Sequence, residues 1–172
     1  NVRAAFDWSK AHDAASFVSL VGSSFGLFRL LDLGWEMRER AAAIDATAVG
    51  GTAPDLQLRY WLARAYLHMG VGAGPSHDCA VEAERVARSI GDTRRLYMAL
   101  CQRASSGLVP ACDSPALLHE IAALESKGWT PRVRAQRSSA EFIVNTFADS
   151  FVDVYLQLAL ADTVDQPEIV AG

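Results

Sequence analysis

The sequence predicts an all-α fold of stacked antiparallel helix hairpins. Three observations lead there. No segment alternates apolar and polar residues as a half-buried strand does. Gly34, Gly70 and Gly107 each close a long apolar helix and each precede a second one, at spacings of 36 and 37 residues. Ser114-Pro115 and Thr130-Pro131 are matching start signals, a hydroxyl cap followed by proline in the first helical position.

The elements follow in order. Asn1 is placed to cap a first helix running to about Ala11, with Val2, Ala5, Phe6 and Ser9 on one face. Ala14 to Leu33 reads as a long apolar helix ended by Gly34. Trp35 to about Ala48 is a third, charged through Glu36, Arg38, Glu39 and Arg40 on one side and alanine-rich on the other. Gly50, Gly51 and Pro54 break the chain. Leu56 to Met69 is apolar nearly all round, which predicts burial between neighbours on two sides. Ser76 is an expected N-cap for the next helix, whose stripe is Cys79, Ala83, Val86, Ala87 and Ile90, with Glu82, Glu84, Arg85 and Arg88 facing water. Gly91 ends it, and Asp92 caps a helix carrying Leu96, Tyr97, Ala99, Leu100 and Ala104. The helix after Pro115 places Leu117, Ile121 and Leu124 together and stops at Gly128. Arg132 to about Ala148 and Phe151 to Ala161 complete the set. We expect one helical domain over 1–162 and a frayed tail over 163–172.

LQLRYWLARAYLHMG and TRRLYMALCQRASSG align without a gap, Tyr60 on Tyr97, Ala63 on Leu100 and Gly70 on Gly107. A hairpin of that length cannot bury its own apolar face, whereas stacked copies can. Leu62-Ala63, Tyr66 and Gly70, then Ala80 and Ala87, resemble the small and large positions of a tetratricopeptide repeat. Three positions depart from that pattern. The loop Val71 to Asp78 is longer than the usual turn, Glu84 stands where a large apolar residue is expected, and Arg103 replaces the tyrosine of the next copy. The start of the chain, NVRAAFDW, followed by the long apolar helix and LGWEMRERA, is similar to the helical region after the ATPase module of large bacterial ATP-dependent transcriptional regulators of the STAND type. That resemblance implies a partner-binding or effector-sensing array, with DNA binding and nucleotide hydrolysis on other domains.

The chain has 172 residues, 51% of them hydrophobic, and a net charge of −4. That length suits one domain or a short helical array, and the acidic balance argues against direct nucleic-acid binding. The longest uncharged run, Ala14 to Phe28, is too short to span a bilayer and carries several serines and glycines. The chain opens in a helical pattern without an initiator methionine or signal-peptide pattern, so we expect a piece cut from a longer protein. Cys79, Cys101 and Cys112 are odd in number and form no CxxC pair, which favours free thiols in a cytoplasmic protein.

The stretch LHMGVGAGPSHDC, Leu67 to Cys79, has the glycines of a phosphate loop. A helix rather than a strand precedes it, and Pro75-Ser76 stands where Lys-Ser/Thr is needed, so it reads as an inter-helix bend with Gly70 as a left-handed cap. His77 and Cys79 offer two metal ligands where a closed zinc site needs four, and the remaining cysteines and histidines are scattered. No serine lies in a GxSxG elbow. We therefore expect no catalytic residue, no metal and no cofactor. In tetratricopeptide arrays the first helix of each pair lines the concave side. Aligned on that pattern, the candidate groove is Tyr60, Arg64, His68, Arg94, Tyr97 and Cys101. Tyr60 and Tyr97 fit equally a binding surface and packing against the adjacent repeat. Arg132, Arg134 and Arg137 form a basic patch suited to an acidic partner, to nucleic acid, which acidic residues elsewhere and missing aromatic interleaving disfavour, or to plain solvation. The expected function is a non-enzymatic module that grips a protein or peptide, including other domains of the same chain, or encloses a small-molecule effector.

Overall fold

The computed structural model describes residues 2–44, 46–68, 73–110, 112–131 and 133–144. The chain is all-α: no strand occurs among these residues. Eight helices run in order: α1 (Val2–His12), α2 (Ala14–Leu30), α3 (Gly34–Ala42), α4 (Ala46–Gly50), α5 (Pro54–His68), α6 (Ala73–Ile90), α7 (Thr93–Ala104) and α8 (Ser114–Leu124). A further helical stretch covers 133–144. The expectations for Asn1, Gly70, Arg132, the helix Phe151–Ala161 and the tail over 163–172 lie outside the described residues.

Successive helices pack on one another, α5 on α6, α6 on α7 and α7 on α8, while α2 lies against α5. As its apolar circumference predicts, α5 is the central element. Leu58, Tyr60, Leu62, Ala63, Ala65 and Leu67 are all buried, and α5 also touches α3, α4 and α7. Two main apolar clusters result. One joins α1, α2 and α3 to α5 through Phe6, Phe17, Val18, Val21, Phe28, Met37 and Tyr60. The other joins α5 to α6, α7, α8 and 133–144 through Leu58, Val86, Tyr97, Leu100, Ile121 and Val144. Where α2 crosses α5, Gly22 admits the close approach: a Cβ there would stand 2.8 Å from Arg59 Cβ and 3.3 Å from the Tyr60 amide nitrogen.

Helix ends explain several differences from the sequence reading. Gly34 opens α3 and does not close α2. The left-handed position belongs to Asp32, at φ 57°. Its N–H donates to Arg29 O (3.2 Å) and that of Leu33 to Phe28 O (2.7 Å). This is the paired terminal motif that Gly91 (φ 69°) makes at the end of α6, where Asp92 N–H reaches Ala87 O at 3.1 Å. α7 ends at Ala104, with Ser105 as its C-cap, and Gly107 (φ 74°) lies in the turn beyond it. The expected third helix is two, α3 and α4, broken after Ala42. Asp92 caps α7, accepting from Arg95 N–H at 2.9 Å.

Ser76 is not an N-cap. α6 already begins at Ala73, so Pro75 and Ser76 lie in its first turn, where proline's missing N–H costs nothing. The loop read from Val71 to Asp78 is correspondingly shorter. Ser76 is instead buried and donates to Ala65 O (2.9 Å). Buried Gln102 of α7 reaches that carbonyl and Ser76 Oγ, each at 3.5 Å. The two side chains serve a carbonyl in the last turn of α5, where such groups run out of intrahelical donors. Ser114 likewise does not cap α8. Asp113 precedes the helix without a side-chain cap, and the Ser114 hydroxyl donates to Pro110 O (3.1 Å). α8 stops at Leu124, before Gly128, because Glu125 turns to extended backbone. Ile90 is exposed, outside the buried stripe of α6.

Glu84 and Arg103, which depart from the repeat pattern, face each other. Arg103 Nη1 lies 2.7 Å from Glu84 Oε2, and Arg88 bridges Glu84 (2.9 Å) to Glu120 of α8 (2.8 Å). Glu84 is therefore a half-buried clamp, not a water-facing residue. At the other end Glu36 holds α1 to α3. Arg3 donates to it through Nε (2.9 Å) and Nη2 (2.8 Å), and Arg40 Nε adds a 3.0 Å pair. The Arg3 hydrogen bonds hold the Glu36 carboxyl down at about 2, well below the usual carboxylate range.

Candidate functional site

The six groove candidates do not share one open surface. Tyr60 is fully buried; its hydroxyl donates to Ala41 O of α3 (2.9 Å) and accepts from Arg64 Nη1 (3.2 Å). Burial pushes its pKa up. Tyr97 is fully buried too; its hydroxyl donates to Arg134 O (3.1 Å), and its ring meets the edge of Trp129 at 5.0 Å. Cys101 lies under it, and burial raises that thiol to about 12. Both tyrosines thus pack against neighbouring helices, and neither they nor Cys101 offer a surface to a partner. Arg94 is exposed at the start of α7. Arg64 and His68 remain, half-buried and one helical turn apart on α5.

Of the basic patch, Arg134 and Arg137 lie among the described residues, and one of them is neutralised. Arg137 is matched by Glu141 (2.7 Å) and Glu125 (3.3 Å). Arg134 is half-buried and holds Tyr97 through its backbone carbonyl. His77 Nδ1 lies 3.0 Å from Ser106 Oγ, a pair that resembles a base and its nucleophile. The hydroxyl hydrogen, however, goes to Arg103 O (2.6 Å), so the histidine nitrogen must donate to Oγ and cannot accept its proton. The contact joins the first turns of α6 to the end of α7. Among the described residues no three of His, Cys, Asp and Glu converge as metal ligands. Cys79, Cys101 and Cys112 are unbridged, the first two buried and the last exposed. An open cleft of roughly 400 Å³ between α1 and α2 is lined by Ala5, Trp8, Ser9, Ser16, Ser19 and Leu20. Its Ser9 and Ser16 hydroxyls are spent locally, on Phe6 O (3.1 Å) and Asp13 (2.6 Å).

Arg38 is the residue that sequence reasoning missed. It sits on α3, half-buried, and Nη1 donates to Leu67 O of α5 at 3.4 Å. That brings it beside His68. Burial, then Arg64 and Arg38, lower the His68 pKa below the ordinary histidine value. Arg64 stacks its guanidinium 5.7 Å from the centres of the Tyr60 and Trp61 rings, and its Nε is buried without an acceptor. Among the described residues eight arginines pair with carboxylates. Of those that do not, Arg29 and Arg94 are exposed and hydrated, whereas Arg38, Arg64 and Arg134 are half-buried. A sequence signal existed. Arg40, Arg59, Arg85, Arg88, Arg95 and Arg137 each have an acid three or four positions away; Arg38, Arg64, Arg94, Arg103 and Arg134 have none, and of these Arg103 alone pairs, with Glu84 of the preceding helix.

The second surface feature is apolar. Leu27, Leu30 and Leu31 at the end of α2 and Trp35 at the start of α3 are 47, 87, 58 and 57% exposed. They fall at the same corner, where Asp32 reverses the chain. Among the described residues no helix is long and apolar enough to cross a membrane. No family model, curated protein or solved structure matches the chain.

Proposed function

We propose that the chain is a non-enzymatic interaction module, the partner-binding or sensor region of a cytoplasmic bacterial transcriptional regulator, built from tetratricopeptide-like hairpins in a right-handed superhelix. The observation that supports it is the apolar corner of Leu27, Leu30, Leu31 and Trp35. Single exposed apolar side chains are ordinary, but several large ones at one corner mark a surface that a partner covers. The occupant in this reading is another folded protein domain, of the same polypeptide or a second one, that lays an apolar face on the corner. Site-specific photocrosslinkers at positions 30 and 35 in the producing cell test it, with position 94 as the exposed control. A discrete adduct at 30 and 35, absent at 94 and abolished by Leu31→Asp, is the expected result; adducts equal at all three positions refute it. A second reading, a small-molecule effector domain, draws on the unpaired half-buried cations between α3 and α5.

A further inference from the structure

We infer that Arg38, Arg64 and His68 form a binding site for a phosphate group carried by a small molecule. The inference gives the effector reading its ligand class and is independent of the apolar corner.

The argument starts from charge. A half-buried guanidinium without a counter-ion gives up hydration and receives nothing in return. Two other half-buried arginines are matched: Arg103 is met by Glu84 at 2.7 Å, and Arg40 by both Asp7 (2.9 Å) and Glu36 (3.0 Å). Among the described residues Arg38, Arg64 and Arg134 are half-buried without a carboxylate, and of these Arg38 and Arg64 act on the same histidine from two helices. The acidic groups on the adjoining face of α6 do not neutralise them. Asp78 is exposed, and Glu82 is engaged by Arg85 at 3.0 Å; both act on Cys79, which lies near Arg64.

The geometry is preset for an anion. Arg64 is held by Tyr60, whose hydroxyl is itself fixed to Ala41 O, and by the Tyr60 and Trp61 rings. That contact takes Nη1 and leaves Nη2 to donate to an oxyanion oxygen. Nε meets no acceptor and no solvent. Arg38 is tethered to Leu67 O only by a long 3.4 Å bond, which leaves its other donors free to turn to a ligand. Two fixed positive charges are neutralised by a dianion, whereas a carboxylate leaves one unmatched. Phosphate, with its second proton near the ordinary histidine range, also gives His68 a partner with which to share a proton.

The test uses the whole chain and inorganic phosphate, with acetate as comparator, read by calorimetry and by the histidine ring resonances. We expect saturable one-to-one phosphate binding, a higher melting temperature, and an upward shift in the His68 titration. Arg38→Gln and Arg64→Gln should each weaken binding about tenfold or more, as loss of a charge-assisted contact does. The exposed Arg94→Gln should bind as the parent does. Having both variants guards against misfolding of either one. Acetate binding as tightly as phosphate overturns the phosphate assignment while leaving an effector site in place. Absence of saturable binding, or equal loss in Arg94→Gln, overturns the site itself.

Discussion

Replacing Gly22 with alanine tests the central packing of the fold. A Cβ at Gly22 would meet Arg59 Cβ at 2.8 Å, Arg59 C at 3.2 Å and Tyr60 N at 3.3 Å. Carbon atoms settle about 3.5–4.0 Å apart. Two of the three obstacles are backbone and cannot rotate away, so α2 and α5 must separate along the seam that buries Val18, Val21, Tyr60 and Ala63. Overpacking of this kind costs about 1–3 kcal/mol. Alanine returns up to about 1 kcal/mol of helix propensity, so the net loss should be roughly 1–2 kcal/mol, or about 2–8 °C in melting temperature. Gly26, one turn along the same helix, is the control, since a Cβ there meets nothing within 4 Å. Gly26→Ala should gain about 0.5–1 kcal/mol. Thermal and urea melts of both variants decide the matter. Equal shifts, or a stabilised Gly22→Ala, would refute the close contact between α2 and α5.

Three further outcomes are expected. Ser76→Ala should cost about 1–3 kcal/mol, because it strips the Ala65 carbonyl of its 2.9 Å donor and leaves only Gln102 at 3.5 Å; a urea midpoint unchanged from the parent would contradict this. Asp32→Gly should stabilise by up to about 1 kcal/mol, since it removes a side chain from the left-handed position; a lower melting temperature would contradict it. Burial first, with Arg64 and Arg103 next, lowers the pKa values of His68 and His77 below 6.5. Protons then favour the unfolded chain, so stability should be full above that value and fall as pH drops through the lowered folded values. Urea melts between about pH 7.5 and 5.5 should show the decline, and a flat profile would mean that neither ring is desolvated.

What was legible in the sequence divides along a physical line. Period and caps act locally, so the helices, the apolar circumference of α5 and the ends at Gly91 and Asp92 could be read from neighbours in the chain. The break after Ala42 and the true end of α2 could not. Glycine favours a left-handed residue but is not required for one, and Asp32 took the position two residues before the glycine that seemed to claim it. The groove candidates fared unevenly because alignment fixes the face of a helix but not what covers it. Tyr60 and Tyr97 are both fully buried, with their hydroxyls on Ala41 O and Arg134 O. Arg64 and His68 were identified, while their companion Arg38 lies 26 residues before Arg64, and only the fold joins them. Ser76 carried a correct polar signal with the wrong partner: it serves the helix before it, not its own.

The Glu84–Arg103 pair bears on assembly. Stacked helices share one hazard, that a helix can dock on its neighbour in the wrong register with little loss of apolar contact. Oily surfaces do not discriminate between registers, but a half-buried carboxylate and guanidinium that meet across two helices do. A misplaced α7 would leave the Arg103 guanidinium half-buried and unmatched, while Glu84 would keep Arg88. The two positions thus act as lock and key for the register of α6 and α7. Substituting both with the leucine and tyrosine that the pattern favours should preserve stability yet loosen that choice, and exchange of hairpins between chains is where the loss would show.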